Sequence, residues 1–104
     1  MPRVAIKMKL HKGSEAEYKK RHDELWPELK DVLKAAGIKD YSIFLDPFTN
    51  ELAGFFTIDD LKRLDELSRE PVMQRWWTYM SDIMETNADH SPVTVRLKEV
   101  FYLP

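Results

Sequence analysis

The chain has no cysteine and only three glycines among its 104 residues. The first absence excludes disulfides, thiolate metal sites and a cysteine nucleophile, and it suits a reducing compartment. The second excludes a glycine-rich phosphate loop. No apolar run approaches the ~20 residues needed to span a bilayer. The first residues, Met-Pro-Arg-Val-Ala-Ile-Lys, carry charge where a signal peptide would need an apolar stretch. Nor is there an excess of charge of either sign: the net charge is -2. Neither nucleic acid nor an anionic membrane is an expected partner. The expected location is the cytoplasm.

What is present is a globular mixture, 43% hydrophobic and 33% charged, at a length that fits one domain over residues 1–104. Aromatics are dense: three Trp, four Tyr and five Phe. They can serve a core, an interface between subunits or the wall of a sugar site.

Residues 3–10 alternate, with Val4, Ile6, Met8 and Leu10 on one face, which predicts a half-buried strand. Ser14-Glu-Ala-Glu17 has the form of a capping box, so a helix is expected to start there and run to Ala36, with Gly37 just past its end. On that helix Tyr18, His22, Leu25, Trp26, Leu29, Val32, Leu33 and Ala36 form one stripe about 120° wide. Pro27 falls inside it and predicts a kink.

Residues 38–58 read as a hairpin around Asp46-Pro-Phe-Thr-Asn50, with Tyr41, Ile43 and Leu45 sharing a face. Gly54, in mid-strand, predicts a bulge or a close approach by another group. Asp59 or Asp60 can cap a helix carrying Leu61, Leu64 and Leu67. Ser68 is expected to restart it towards Met84, with Pro71 in the new first turn. Trp76 and Trp77 there lie about 100° apart, so they cannot share one narrow seam. Residues 93–103 predict a last strand whose end, Val100 to Leu103, is apolar on both faces and wants a partner surface.

The order β-α-β-β-α-β predicts a ferredoxin-like α+β sandwich: an antiparallel sheet with helices on one face. The other face needs a cover, and pairing two such sheets into a dimeric α+β barrel supplies one.

His22 is the candidate for acid–base chemistry, because an imidazole both gives and takes protons near neutral pH. It lies in the core-facing stripe, one turn from Tyr18 and one from Trp26. His11 and His90 fall in loops and are expected to face solvent. A core histidine satisfied by a backbone carbonyl or by Tyr18 would give the same pattern, and pattern alone favours that reading. Tyr18 and Tyr41 each offer a hydroxyl that needs a partner if buried. Trp76 and Trp77 can wall a ring-shaped ligand or simply pack helix to sheet. No acid shares the His22 stripe, and one histidine without cysteine gives no metal spacing.

Several stretches together resemble the L-rhamnose mutarotase family. They are Glu17-Tyr-Lys-Lys-Arg-His-Asp-Glu-Leu-Trp-Pro-Glu-Leu29, Tyr41-Ser-Ile-Phe-Leu-Asp46, Gln74-Arg-Trp-Trp-Thr-Tyr-Met-Ser-Asp-Ile-Met84, Ser91-Pro-Val93 and Glu99-Val-Phe-Tyr-Leu-Pro104. The resemblance spans essentially the whole chain. It implies a cytoplasmic homodimer of the dimeric-barrel type that interconverts the α and β anomers of L-rhamnose without cofactor or metal. It also implies His22 as proton donor, with Tyr18, Tyr41, Trp76 and Trp77 binding the sugar. The alternative on the same fold is a cofactor-free monooxygenase or a haem-handling protein; a non-catalytic sugar sensor is the third reading.

Overall fold

A computed structural model describes residues 1–104. The chain runs β1 (Arg3–Lys9), α1 (Glu15–Asp23), α2 (Pro27–Ala35), β2 (Ile38–Asp46), β3 (Glu51–Ile58), α3 (Arg63–Ser68), α4 (Pro71–Met80) and β4 (Val95–Leu97). The four strands form one antiparallel sheet in the order β2-β3-β1-β4. This is the ferredoxin-like arrangement expected from the element order. Alternation does the work: Val4 and Met8 of β1, with Leu52, Phe56 and Ile58 of β3, are buried on the helix side. Leu29 of α2 and Val72, Trp76 and Met80 of α4 are buried against that side. Side chains this fully buried contribute about 1.5–3 kcal/mol each.

The long helix predicted over 14–36 is two helices. Residues ahead of a proline avoid the helical region, and Trp26 takes an extended ψ of 128°. The break therefore spans Glu24 to Trp26, and Pro27 opens α2 at its first position instead of kinking one helix. Gly37 has φ +83° just past α2, as its place beyond the helix end requires.

The capping box does not form. Ser14 has ψ 8°, outside the extended region usual for a cap, and makes no side-chain cap bond. The Glu17 carboxylate accepts instead from Arg21 Nε at 2.7 Å.

Ser68 does not restart the second helical segment either. Its hydroxyl donates to the Asp65 carbonyl at 2.6 Å, closing α3. Glu70 is the residue that precedes Pro71 and the new helix. That helix stops at Met80 rather than Met84, because the chain turns to run beside β1: Met84 bridges Leu10, and Glu85 N–H donates to the Lys9 carbonyl at 2.9 Å.

The predicted last strand is three residues long. Leu97 pairs with Ala5, and two residues further the Arg3 guanidinium takes the Glu99 carboxylate. By register Lys98 and Glu99 fall opposite Val4 and Arg3, although the strand ends at Leu97; residues 100–104 fall beyond Arg3, where β1 has no residue left to pair with. Val100, Phe101 and Leu103 are exposed. They are not packed under their own domain.

The sheet's other face is open. In an antiparallel pair, opposed residues share a face. Phe44 stands opposite Ala53, and Val95 and Leu97 stand opposite Lys7 and Ala5. Phe44, Phe55, Val95 and Leu97 are all exposed there.

Candidate active site

A bulge aims the strand side of the site. The β2–β3 register shifts between Lys39 and Ser42, and Asp40 takes the left-handed φ of 54° that aspartate tolerates. Without the extra residue, Ile38 and Tyr41 would point to opposite faces. With it, Ile38 reaches the core and Tyr41, Ile43 and Leu45 also face the helices. Gly54 is the close approach, and the bulge lies on the neighbouring strand. A Cβ on Gly54 would stand 3.5 Å from Tyr41 Cε1 and 3.3 Å from Ile6 Cγ1. The Tyr41 distance is ordinary contact, and the tight neighbour of such a Cβ is Ile6.

The helix side comes from α1 and α4. Tyr18 and His22 are four residues apart, so their rings meet: the centroids are 4.3 Å apart, stacked at 29°. Trp76 of α4 meets His22 edge-on at 5.4 Å. Trp26, freed from the helix by Pro27, meets Trp76 edge-on at 5.1 Å and stacks on Tyr79 at 5.4 Å.

Between helix and sheet lies a cavity of about 580 Å³, walled by Tyr18, His22, Tyr41 and Trp76 together with Leu29, Leu33, Ile43 and Met73. That volume is within the roughly 300–1,000 Å³ typical of small-molecule sites. Glu15, Lys19 and Asp23 add polar groups. Their charges read as solvated surface in the sequence, and only the distance between α1 and the sheet reveals them as lining. Trp77 does not reach this cavity. It lines a smaller one, of about 200 Å³, that shares Tyr18, His22, Tyr41 and Trp76 with the first. The tryptophan pair is thus divided, as its 100° separation requires: Trp76 is 6% exposed in the core and Trp77 is half-buried.

His22 Nδ1–H donates to the Tyr18 carbonyl at 2.9 Å. That bond fixes the tautomer and leaves Nε2 as the nitrogen with a lone pair. Burial lowers the His22 pKa below 6.5, opposed by the Tyr18 carbonyl and by Asp23. The ring therefore rests neutral at pH 7. The Tyr18 hydroxyl is pushed well above the ordinary phenol value, by burial first and then by Tyr41. Tyr41 is 40% exposed as a residue, yet its hydroxyl end lies over Gly54 and burial raises its pKa too. Both phenols stay protonated and can donate. His11 and His90 are exposed, as their loop positions predicted. No group of three or more His, Asp or Glu side chains is placed to hold a metal ion.

The fold and cavity define a class: a ferredoxin-like α+β protein with a small-molecule pocket between helices and sheet, built around one neutral histidine and two protonated tyrosines. Many activities share that scaffold. A crystal structure of an antibiotic biosynthesis monooxygenase superposes with a TM-score of 0.64 over 96% of this chain and 99% of that one, at 13% identity. That likeness carries the fold alone.

Closer relatives narrow the class. The family model described as L-rhamnose mutarotase matches residues 3–103. An L-rhamnose mutarotase of Brucella anthropi is 52% identical over 102 residues, covering 98% of this chain and 96% of that one. The crystal structure of L-rhamnose mutarotase FA22100 from Formosa agariphila superposes with a TM-score of 0.94 over the whole of both chains, at 46% identity. The chain belongs to the L-rhamnose mutarotase family, carbohydrate isomerases that interconvert anomers.

Proposed function

We propose that the cavity under α1 binds L-rhamnose and that His22 carries the proton between its two anomeric oxygens. The observation behind this is the His22 ring itself, neutral, fixed through Nδ1 and with Nε2 free. In either anomer, O1 and the ring oxygen O5 are bonded to the same carbon, so one nitrogen can serve both. Nε2 takes the proton from O1–H as the C1–O5 bond breaks and the C1–O1 carbonyl forms. The imidazolium then gives that proton to O5, which makes His22 the proton donor in ring opening. Rotation about C1–C2 turns the aldehyde, and the reverse steps close the ring on its other face. One proton is relayed and no atom changes oxidation state, so the reaction calls for no cofactor.

The remaining residues orient the sugar. The Tyr18 and Tyr41 hydroxyls are the donors to sugar oxygens, and the Trp76 ring is the apolar wall. Trp77 serves the end shared with the smaller cavity. A positioned acid–base group supplies about 10²–10⁴-fold. Orientation in a dry cavity adds to it. Saturation-transfer NMR on α/β-L-rhamnose tests this reading: exchange is expected to rise in proportion to protein added. A rate equal to buffer alone overturns it. Oxygen uptake with an aromatic substrate would instead favour an oxygenase.

The same reading makes the protein a cytoplasmic homodimer. Its support is the open apolar sheet face, where Phe44 is 64% exposed beside Phe55, Val95 and Leu97. A second copy covers that face and the Val100–Leu103 tail. Light scattering reads the mass in solution, and Phe44→Glu is expected to halve it.

A further inference from the structure

The helix that carries His22 is poorly held by the core. All nine residues of α1 lack a buried member, and the chain leaves it at an open break. Tyr18 and His22 touch the cavity walls, but a ligand competes for those same surfaces. On its other flank α1 has one strong tie, Arg21.

The Arg21 side chain is 10% exposed. Its Nη1 donates to the Tyr79 carbonyl at 2.6 Å and to Asp82 Oδ1 at 2.9 Å, and Nη2 donates to Asp82 Oδ2 at 3.3 Å. Nε donates to Glu17 at 2.7 Å, and the guanidinium carbon lies 4.2 Å over the Tyr79 ring. Tyr79 is in the last turn of α4. Its carbonyl has no helical donor, because Ile83 N–H goes to Met80 instead. A cation at a helix C-terminus is electrostatically favoured, and a planar fork meets a carboxylate in two bonds where a lysine meets it in one. Arg21 therefore ties α1 to the end of α4, the helix that carries Trp76. His22 is the next residue, and it meets Trp76 edge-on.

The geometry points to Arg21 as a positioning residue for the isomerase reaction: it holds α1 against α4 so that His22 Nε2 faces the sugar. Arg21 touches no substrate. It acts through His22, and so rests on the assignment of His22 as the acid–base group. Glu17 and Asp82 are the other members of the clamp. A displacement of about 1 Å at a reacting group is enough to cost on the order of a hundredfold.

The test follows anomer exchange against L-rhamnose concentration for Arg21→Ala, Arg21→Lys, Asp82→Asn, His22→Ala and the Arg21→Ala/His22→Ala pair. Arg21→Ala is expected to lower kcat by about 10–100-fold with KM within about twofold, since the loss falls on the transition state. Arg21→Lys recovers part of that loss. Asp82→Asn, at an exposed acid, keeps the fold and lowers kcat about threefold. In the His22→Ala background Arg21→Ala adds nothing, because residues acting as one unit are not additive. If Arg21→Ala does not fold, Asp82→Asn decides the matter, and its wild-type kcat overturns the proposal. So does wild-type kcat in Arg21→Ala, or a full further loss in the double variant. Wild-type exchange in His22→Ala overturns the underlying assignment instead, which keeps the two failures apart.

Discussion

Two helices line the same side of the cavity, and they are held in different ways. α4 buries Val72, Trp76 and Met80 and belongs to the core. α1 buries nothing completely and is kept in place by ring contacts and by Arg21. His22, the proposed proton carrier, sits on the second kind of helix. With His22 as the proposed proton carrier, the comparison assigns stability and chemistry to different helices of one pocket. A helix with no buried residue can present polar groups to a ligand without burying unpaired ones. Its partner supplies the rigid surface against which those groups are aimed.

Substitutions can break or sharpen that contrast. The largest effect on rate is expected for His22→Ala: a loss of about 10²–10⁴-fold in anomer exchange. The same change should cost only about 1 kcal/mol of stability, the worth of its ring contacts, as read by a denaturant titration. A large stability loss there would erase the distinction between the helices. Trp76→Ala should weigh far more on stability, costing about 3–5 kcal/mol in the same titration because it leaves a cavity in the core. Smaller is Tyr18→Phe, which keeps the stack on His22 and removes one donor. It should raise KM by about tenfold, the weight of one hydrogen bond to a sugar oxygen, with little change in the melting curve.

The element order and the helix-facing residues were legible because each rests on a periodic pattern. Val4, Met8 and Leu10 are buried on one face, as a period of two requires. The stripe through Tyr18, His22, Leu29 and Leu33 also faces the sheet across the break at Trp26. The division of Trp76 from Trp77 followed from helix geometry. The failures share a cause: a local signal lost to a distant partner. Ser14 and Glu17 have the form of a cap, but Glu17 is taken by Arg21, which also holds Asp82. Ile83 and Met84 continue an apolar stripe, yet the chain turns over residues 81–83 and Met84 bridges Leu10, just past β1. Residues 100–104 look like strand, but by register they fall beyond Arg3, where β1 offers no residue to pair with. The roles of the site residues came from family resemblance. Pattern alone treated His22 as a core histidine satisfied by a backbone carbonyl. Half of that is correct, since Nδ1 is satisfied in this way and Nε2 is not.

The pH dependence of exchange is the most direct test of His22 as the proton carrier. Burial holds its folded pKa below 6.5, so above that pH the ring is neutral and Nε2 is free to accept. As pH falls through the folded value, Nε2 becomes protonated and can no longer take the O1 proton. The protein-dependent rate of L-rhamnose anomer exchange, measured by saturation-transfer NMR from pH 4.5 to 8, is the measurement. The account predicts a flat rate above about pH 6.5 and a fall on the acid side with a midpoint below it. That limb should be absent from the residual rate of His22→Ala. An acid limb that survives in the variant, or a wild-type rate that rises as pH falls, would contradict it.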